Sequence, residues 1–279
     1  MSRRITNESL LRILKTVYET EPDTAILVGG QALALWTFLL GVSVPPELPP
    51  SVTRDLDLVC GIKSAHKVKD GFGGIFAQSN IDDHTTNLAK LTLPVDGEDL
   101  EVDFLSSILG VSNDVLFRTS FMVRFKIGDD SHVDIRVMHP YAIWQSRLAN
   151  VINIPSKQNK YGIAQAKLSL HVLRAYVNKQ AAGFYSHLDA IGWIRHFEKK
   201  LRSVSWRDAL VDYDLDFSLA MCEINMLTFK QSAEYKKYCQ RINRHMSRAR
   251  QSKKERSRKC ERQSCLIVPS LDSLLGANL

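Results

Sequence analysis

Apolar residues recur at helical spacing from the start of the chain. Leu10, Leu11, Ile13, Leu14, Val17 and Tyr18 fall on one face of a helix that can begin at Asn7 as its cap, with Glu8 in the first turn to suit the dipole. The apolar run of residues 24–28 stops at Gly29-Gly30, and residues 31–40 then hold strong helix formers without a breaker. This reads as a strand, a tight glycine turn and a buried helix beginning near Gln31. Pro45, Pro46, Pro49 and Pro50 fix φ and lack amide donors, so residues 41–51 form a loop.

A period of two takes over next. Residues 55–60 and 100–105 alternate polar and apolar, and the Asp96-Gly97 turn places the second run beside residues 88–93. Residues 121–127 and 133–138 form a further candidate hairpin around Gly128-Asp129-Asp130, ended by His139-Pro140. The remaining pattern is helical, over 141–150, 162–178, 187–201, 206–211 and about 215–250. The chain therefore reads as α+β, an N-terminal mixed sheet with flanking helices over 1–139 followed by a helical domain over 140–250. The basic, Ser- and Gln-containing stretch 251–264 reads as a frayed helix end or a disordered segment, in a flexible tail over 251–279.

Composition is that of an ordinary globular protein, and 279 residues suffice for one large or two modest domains. The net charge of +7 is uneven. Thirteen Lys and Arg residues lie between Lys230 and Arg262 against Glu234, Glu255 and Glu261. Clustered cations favour a phosphate-rich partner through counterion release, and a solvated helical face is the equal alternative. Cys60, Cys222, Cys239, Cys260 and Cys265 contain no CxxC pair, which argues against a disulfide framework or a structural zinc site. The polar start argues against a secretory signal and no apolar run is long enough to span a bilayer, so a cytoplasmic setting without membrane association is expected.

The chemistry concentrates in two places. On a strand, residues i and i+2 share a face, so Asp55 and Asp57 present two carboxylates while Leu56 and Leu58 turn to the core. Like charges at that spacing call for a cation, and Mg²⁺, or Mn²⁺ in its place, suits hard oxygen ligands. Asp103 on a neighbouring strand supplies a third carboxylate, enough for a two-metal phosphoryl displacement. Gly29-Gly30 lets the backbone approach a triphosphate, and the helix N-terminus at Gln31 directs N–H groups at the anion. Thr53 and Arg54 are placed either to touch phosphate or to sit on the surface. In isolation a Gly-Gly pair is usually a turn, and Asp-x-Asp an edge strand facing water. Asp134 is a rival third carboxylate, but its strand comes late and is hairpin-paired. Gly71-Phe-Gly-Gly74 reads as a turn, Asp82-Asp83-His84 and Asp129-Asp130 as solvated turns, and Trp144, Tyr161, Tyr176 and Trp193 as core.

Taken in order, residues 26–35 (Ile-Leu-Val-Gly-Gly-Gln-Ala-Leu-Ala-Leu), 53–59 (Thr-Arg-Asp-Leu-Asp-Leu-Val) and 101–105 (Glu-Val-Asp-Phe-Leu) resemble the polymerase-beta-like nucleotidyltransferase superfamily, especially its AbiEii-like toxin branch. The resemblance covers roughly residues 20 to 150. It implies a nucleotidyltransferase fold that binds an NTP and Mg²⁺, and transfer of a nucleotidyl group to an acceptor, with RNA favoured by the basic C-terminal helix. It also implies an antitoxin partner. The chain departs in carrying Gln31 where a small hydroxyl residue is usual, and in the long proline-rich interval before Asp55. Where the family tends to place a Lys on the helix after the sheet, this chain offers Arg147, as a nucleotide contact or as a helix-packing residue. A catalytically silent module of the same fold, binding nucleic acid or a regulatory partner, is the alternative.

Overall fold

The structure is a computed structural model that describes residues 7–44, 46, 48, 55–80, 86–95, 97–127, 131–181, 190–215 and 229–264. Seven strands form one mixed sheet: β1 (Ile26–Leu27), β2 (Asp55–Val59), β3 (Ile75–Gln78), β4 (Asn87–Val95), β5 (Glu98–Leu105), β6 (Phe121–Ile127) and β7 (Ser131–Val137). Their spatial order is β3-β4-β5-β2-β1-β7-β6. β2 runs parallel to β5 and β1 parallel to β7, while the other neighbours are antiparallel.

Helix α1 (Asn7–Thr20) follows the apolar stripe read from the sequence, with Ile13 and Val17 fully buried. It is fastened to the sheet by Tyr18, whose hydroxyl donates to the Arg136 carbonyl at 2.6 Å and accepts from the Leu27 amide at 2.9 Å. The hydroxyl thereby bridges the parallel pair β1 and β7. The neighbouring helix α3 (Ile62–Phe72) packs on α1 and on β4. It and the exposed edge strand β3 were not anticipated, and the Gly71-Phe-Gly-Gly74 turn begins as the last residues of α3. A short α4 (Asn113–Thr119) is likewise new, although Ser112 caps it by accepting from the Val115 amide, a signal legible in the sequence.

Two expectations at the front of the sheet need correction. The strand over 24–28 shrinks to Ile26–Leu27, and helix α2 (Gly29–Leu40) begins at Gly29 rather than near Gln31. The reason is Gly29 itself, whose φ of 67° turns the chain straight from strand into helix. No separate turn intervenes.

Beyond the sheet lie α5 (Pro140–Asn153), a short 3-10 helix (Pro155–Lys157), α6 (Lys160–Ala181), α7 (Ala190–Lys200), α8 (Val204–Asp212) and α9 (Phe229–Ser264). His139 caps α5 by accepting from the Tyr141 amide at 3.0 Å, and Pro140 occupies the first helical position, where its missing N–H costs nothing. Trp36 of α2 donates its indole N–H to the Met138 carbonyl at 2.8 Å, which ties α2 to the end of the sheet. One apolar cluster extends from Ile13 to Met246, so sheet and helices share a core. Trp144 and Tyr176 belong to it as expected, Tyr161 is exposed instead, and the Trp193 side chain lies outside the described residues. Trp144 lies tilted against Phe197 with ring centres 4.1 Å apart and meets Trp206 edge-on at 5.3 Å. Trp144→Ala is expected to cost about 3–5 kcal/mol, read from urea denaturation, because three helices lose their common ring contact.

The stretch 251–264, expected to be frayed or disordered, instead continues α9. Its residues are good helix formers, and α8 holds it: Lys253 donates to the Val211 carbonyl and pairs with Asp212, while Arg256 donates to Asp208 at 3.2 Å. Further back, Arg195 of α7 pairs with Glu234. The described part of this helix begins at Phe229, and Leu215, near its expected start, is not helical. Residues 216–228 and 265–279 lie outside the described residues. No described helix is long and apolar enough to cross a membrane.

Candidate active site

The parallel pairing of β2 with β5 decides which acidic side chains meet. Its register sets Asp57 beside Asp103 and Asp55 beside Glu101. Leu56, Leu58, Val102 and Phe104 alternate to the buried side at 0–1% exposure, so the four carboxylates stand two by two on the opposite face. Adjacent strands lie roughly 4.8 Å apart, a spacing at which carboxylates repel strongly. The three expected acids are therefore brought together, and Glu101 is a fourth that was missed. It lies two residues before Asp103, the same offset that links Asp55 to Asp57.

Burial and the Asp57 charge both push the Asp103 carboxyl above its ordinary value of 3.8, in that order, with Lys90 opposing. Asp55 is raised by burial, then by Asp57 and Glu101, against Lys90 and Lys157. A raised carboxyl destabilises the fold at pH values above its native pKa, and the penalty disappears as pH falls through that value toward 3.8. Asp103→Asn is accordingly expected to raise the melting temperature at pH 7. The gain should shrink on acidification, and a pH-independent gain would contradict the charge argument.

Gly29 makes room for this face. A Cβ on Gly29 would lie 1.7 Å from Asp57 Oδ2, so the Asp57 carboxylate rests against the bare glycine backbone. The Val28 amide also donates to the Asp57 carbonyl at 3.0 Å, locking β1 and β2 in register at this point. The glycine pair was expected to open space for a phosphate, but the space at Gly29 is taken by Asp57. Gly30 differs: the nearest atom to a Cβ there would be Arg147 Nη2 at 3.8 Å, an ordinary contact. The N-terminus of α2 has no side-chain cap and no acid in its first turn. Gln31 stands in that turn, half-buried.

Arg147 comes to the same place from α5. Its Nη1 donates to Gln165 Oε1 of α6 at 3.1 Å, whereas Nη2 is buried without a hydrogen-bond partner. Burial pushes the guanidinium pKa down, and the nearby Asp57 carboxylate opposes that shift. A buried arginine with one donor unmet, next to a helix N-terminus, is suited to an anion. Asp103 Oδ1 is likewise buried without a hydrogen-bond partner, the complementary condition for receiving a cation. Hard carboxylate oxygens from Asp55, Asp57 and Asp103 fit Mg²⁺ or Mn²⁺ in kind. Among the described residues no three His, Cys, Asp or Glu side chains stand together at ligating spacing.

Other expectations resolve plainly. Asp134 pairs with Arg124 through two hydrogen bonds of 2.7 and 2.9 Å on the exposed side of the β6–β7 hairpin, and β1 separates β7 from β2. It is no part of the acidic face. Thr53, Arg54, Asp82, Asp83, His84, Asp129 and Asp130 lie outside the described residues.

No family model matches the chain, and no curated protein matches it. Among solved structures, the crystal structure of JHP933 from Helicobacter pylori is similar with a TM-score of 0.35 and 11% identity, over 93% of this chain and 99% of that one. The likeness is too slight to argue from.

Proposed function

We propose that this chain has a nucleotidyltransferase fold and is a divalent-metal-dependent enzyme that moves a nucleotidyl group from an NTP to an acceptor, RNA being favoured. The observation that carries the reading is the register pairing of Asp57 with Asp103, on one face with Asp55 and within reach of Gly29 and Arg147. In this reading Asp55, Asp57 and Asp103 hold Mg²⁺, which when bound neutralises charge on the attacking and leaving oxygens. Arg147 Nη2 and the α2 N-terminus grip the triphosphate and hold the α-phosphorus in line with the acceptor hydroxyl. Asp103, its carboxyl raised by burial, accepts the hydroxyl proton as the new P–O bond forms. The bond from the α-phosphorus to the bridging oxygen breaks on the opposite side, and pyrophosphate leaves with that electron pair.

Exposed cations of α9 support RNA as acceptor. Lys237, Arg241, Arg244 and Arg248 follow each other at helical spacing on its solvent side. An antitoxin partner belongs to the same proposal through the sequence resemblance, and a cytoplasmic setting through the polar start and the lack of a long apolar run. The test is incubation of the purified chain with each labelled NTP, Mg²⁺ or Mn²⁺, and total RNA or cell lysate. Transfer of label to a macromolecule is expected. RNA binding without transfer under every condition would overturn the enzyme in favour of a silent binding module.

A further inference from the structure

The acidic face carries a cation of its own. Lys90 stands on β4 in register with Asp103, and Asp103 in turn neighbours Asp57 across β5 and β2. Its Nζ donates to Glu101 Oε2 at 2.6 Å, and Glu101 is the register partner of Asp55. Charges facing this ammonium are Glu101 and Asp103 on β5 and Asp55 on β2, all of which favour its charged form. Lys157 acts on Asp55 from the 3-10 helix and Arg147 is near Asp57, but among the described residues neither forms an ion pair with the face. Lys90 is in direct contact with one of its carboxylates.

We propose that Lys90 is the built-in counter-cation of the acidic face, holding Glu101 and competing with a divalent cation for the other carboxylates. The inference rests on the metal-binding reading of Asp55, Asp57 and Asp103. Lysine suits the role because its ammonium is a compact point charge on a flexible stem, able to swing from one carboxylate to the next. Two consequences of opposite sign follow. Without Lys90 the face keeps four carboxylates, Glu101 is released, and a divalent cation binds more tightly. Without the Glu101 charge the ammonium turns onto Asp103, its register neighbour, and the same cation binds more weakly.

The experiment is a Mn²⁺ titration of the full chain, reading free aquo-Mn²⁺ by its electron paramagnetic resonance signal, with circular dichroism to check folding. Lys90→Met is expected to bind Mn²⁺ roughly ten-fold more tightly, the effect of removing one nearby charge from a divalent site. Lys90→Arg, which keeps the charge, should stay close to the unaltered chain, and Glu101→Gln should bind several-fold more weakly. Affinity in folded Lys90→Met equal to or below that of the unaltered chain overturns the inference and leaves the metal site standing. Should Lys90→Met fail to fold, unchanged or tighter binding by Glu101→Gln overturns it instead. Absence of saturable Mn²⁺ binding in every folded protein, the unaltered one included, overturns the metal-binding reading and this inference together.

Discussion

Asp57→Asn is expected to lower the rate of the proposed nucleotidyl transfer by at least about a thousand-fold, equivalent to about 4 kcal/mol of transition-state stabilisation, while the chain remains folded. Asp57 occupies the middle of the site: it neighbours Asp103 across the parallel strands, acts on both raised carboxyls, rests on Gly29 and faces Arg147. The amide keeps its shape but loses the negative charge that a metal ligand and an arginine partner both require. Stability should not fall, since one of several mutually repelling charges is removed. Label-transfer rates alongside thermal unfolding separate the two effects. Transfer within ten-fold of the unaltered rate would remove Asp57 from the chemistry and with it the proposed site.

The largest structural effect is expected at Gly29. Alanine there meets two penalties, a left-handed φ of 67° that costs about 1–2 kcal/mol for a residue with Cβ, and a Cβ 1.7 Å from Asp57 Oδ2 that must displace the carboxylate. The sum is about 2–4 kcal/mol of stability, together with loss of transfer, because Asp57 can no longer stand beside Asp103. The two penalties separate in a double-mutant cycle. Asp57→Ala in the Gly29→Ala background should restore the steric part and leave the backbone part. Strict additivity of the two substitutions would mean that the glycine serves only the backbone. Gly30→Ala is the control: with its nearest neighbour at 3.8 Å it should be neutral, or stabilising by a few tenths of a kcal/mol as a glycine is removed from a helix.

The acidic face was legible because period-two alternation at Asp55-Leu56-Asp57-Leu58 and Glu101-Val102-Asp103-Phe104 is a local property, and a strand obeys it wherever it is placed. The β4–β5 hairpin was legible for a similar reason, through its Asp96-Gly97 turn. Glu101 was within reach of the same rule, since it lies two residues before Asp103 on the same strand. The Lys90–Asp103 pairing follows from the two-residue Asp96-Gly97 turn, which sets Val95 opposite Glu98, but the diagonal contact of Lys90 with Glu101 was not readable, since it depends on side-chain rotamers. Nor was the contact between Gly29 and Asp57. A glycine that ends an apolar run looks the same whether its missing Cβ admits a ligand or a neighbouring side chain. Helix α9 shows the converse: residues 251–264 carry the composition of a solvated tail, and it is the acids Asp208 and Asp212 on α8 that hold the first part of that stretch in place.

The parallel pairing of β2 with β5 also bears on the order in which the molecule assembles. Antiparallel β4 and β5 are joined by a tight turn and can pair early, but β2 reaches β5 only after α3, β3 and β4 have been laid down between them. Contacts so distant along the chain carry a high loop-closure cost and form late. By the same reasoning Lys90 and Glu101, joined within the hairpin, are expected to meet before Asp55 and Asp57 arrive with β2. The metal binding proposed for this face would then be acquired only once β2 has docked, and a partly folded chain would not take up divalent cations there.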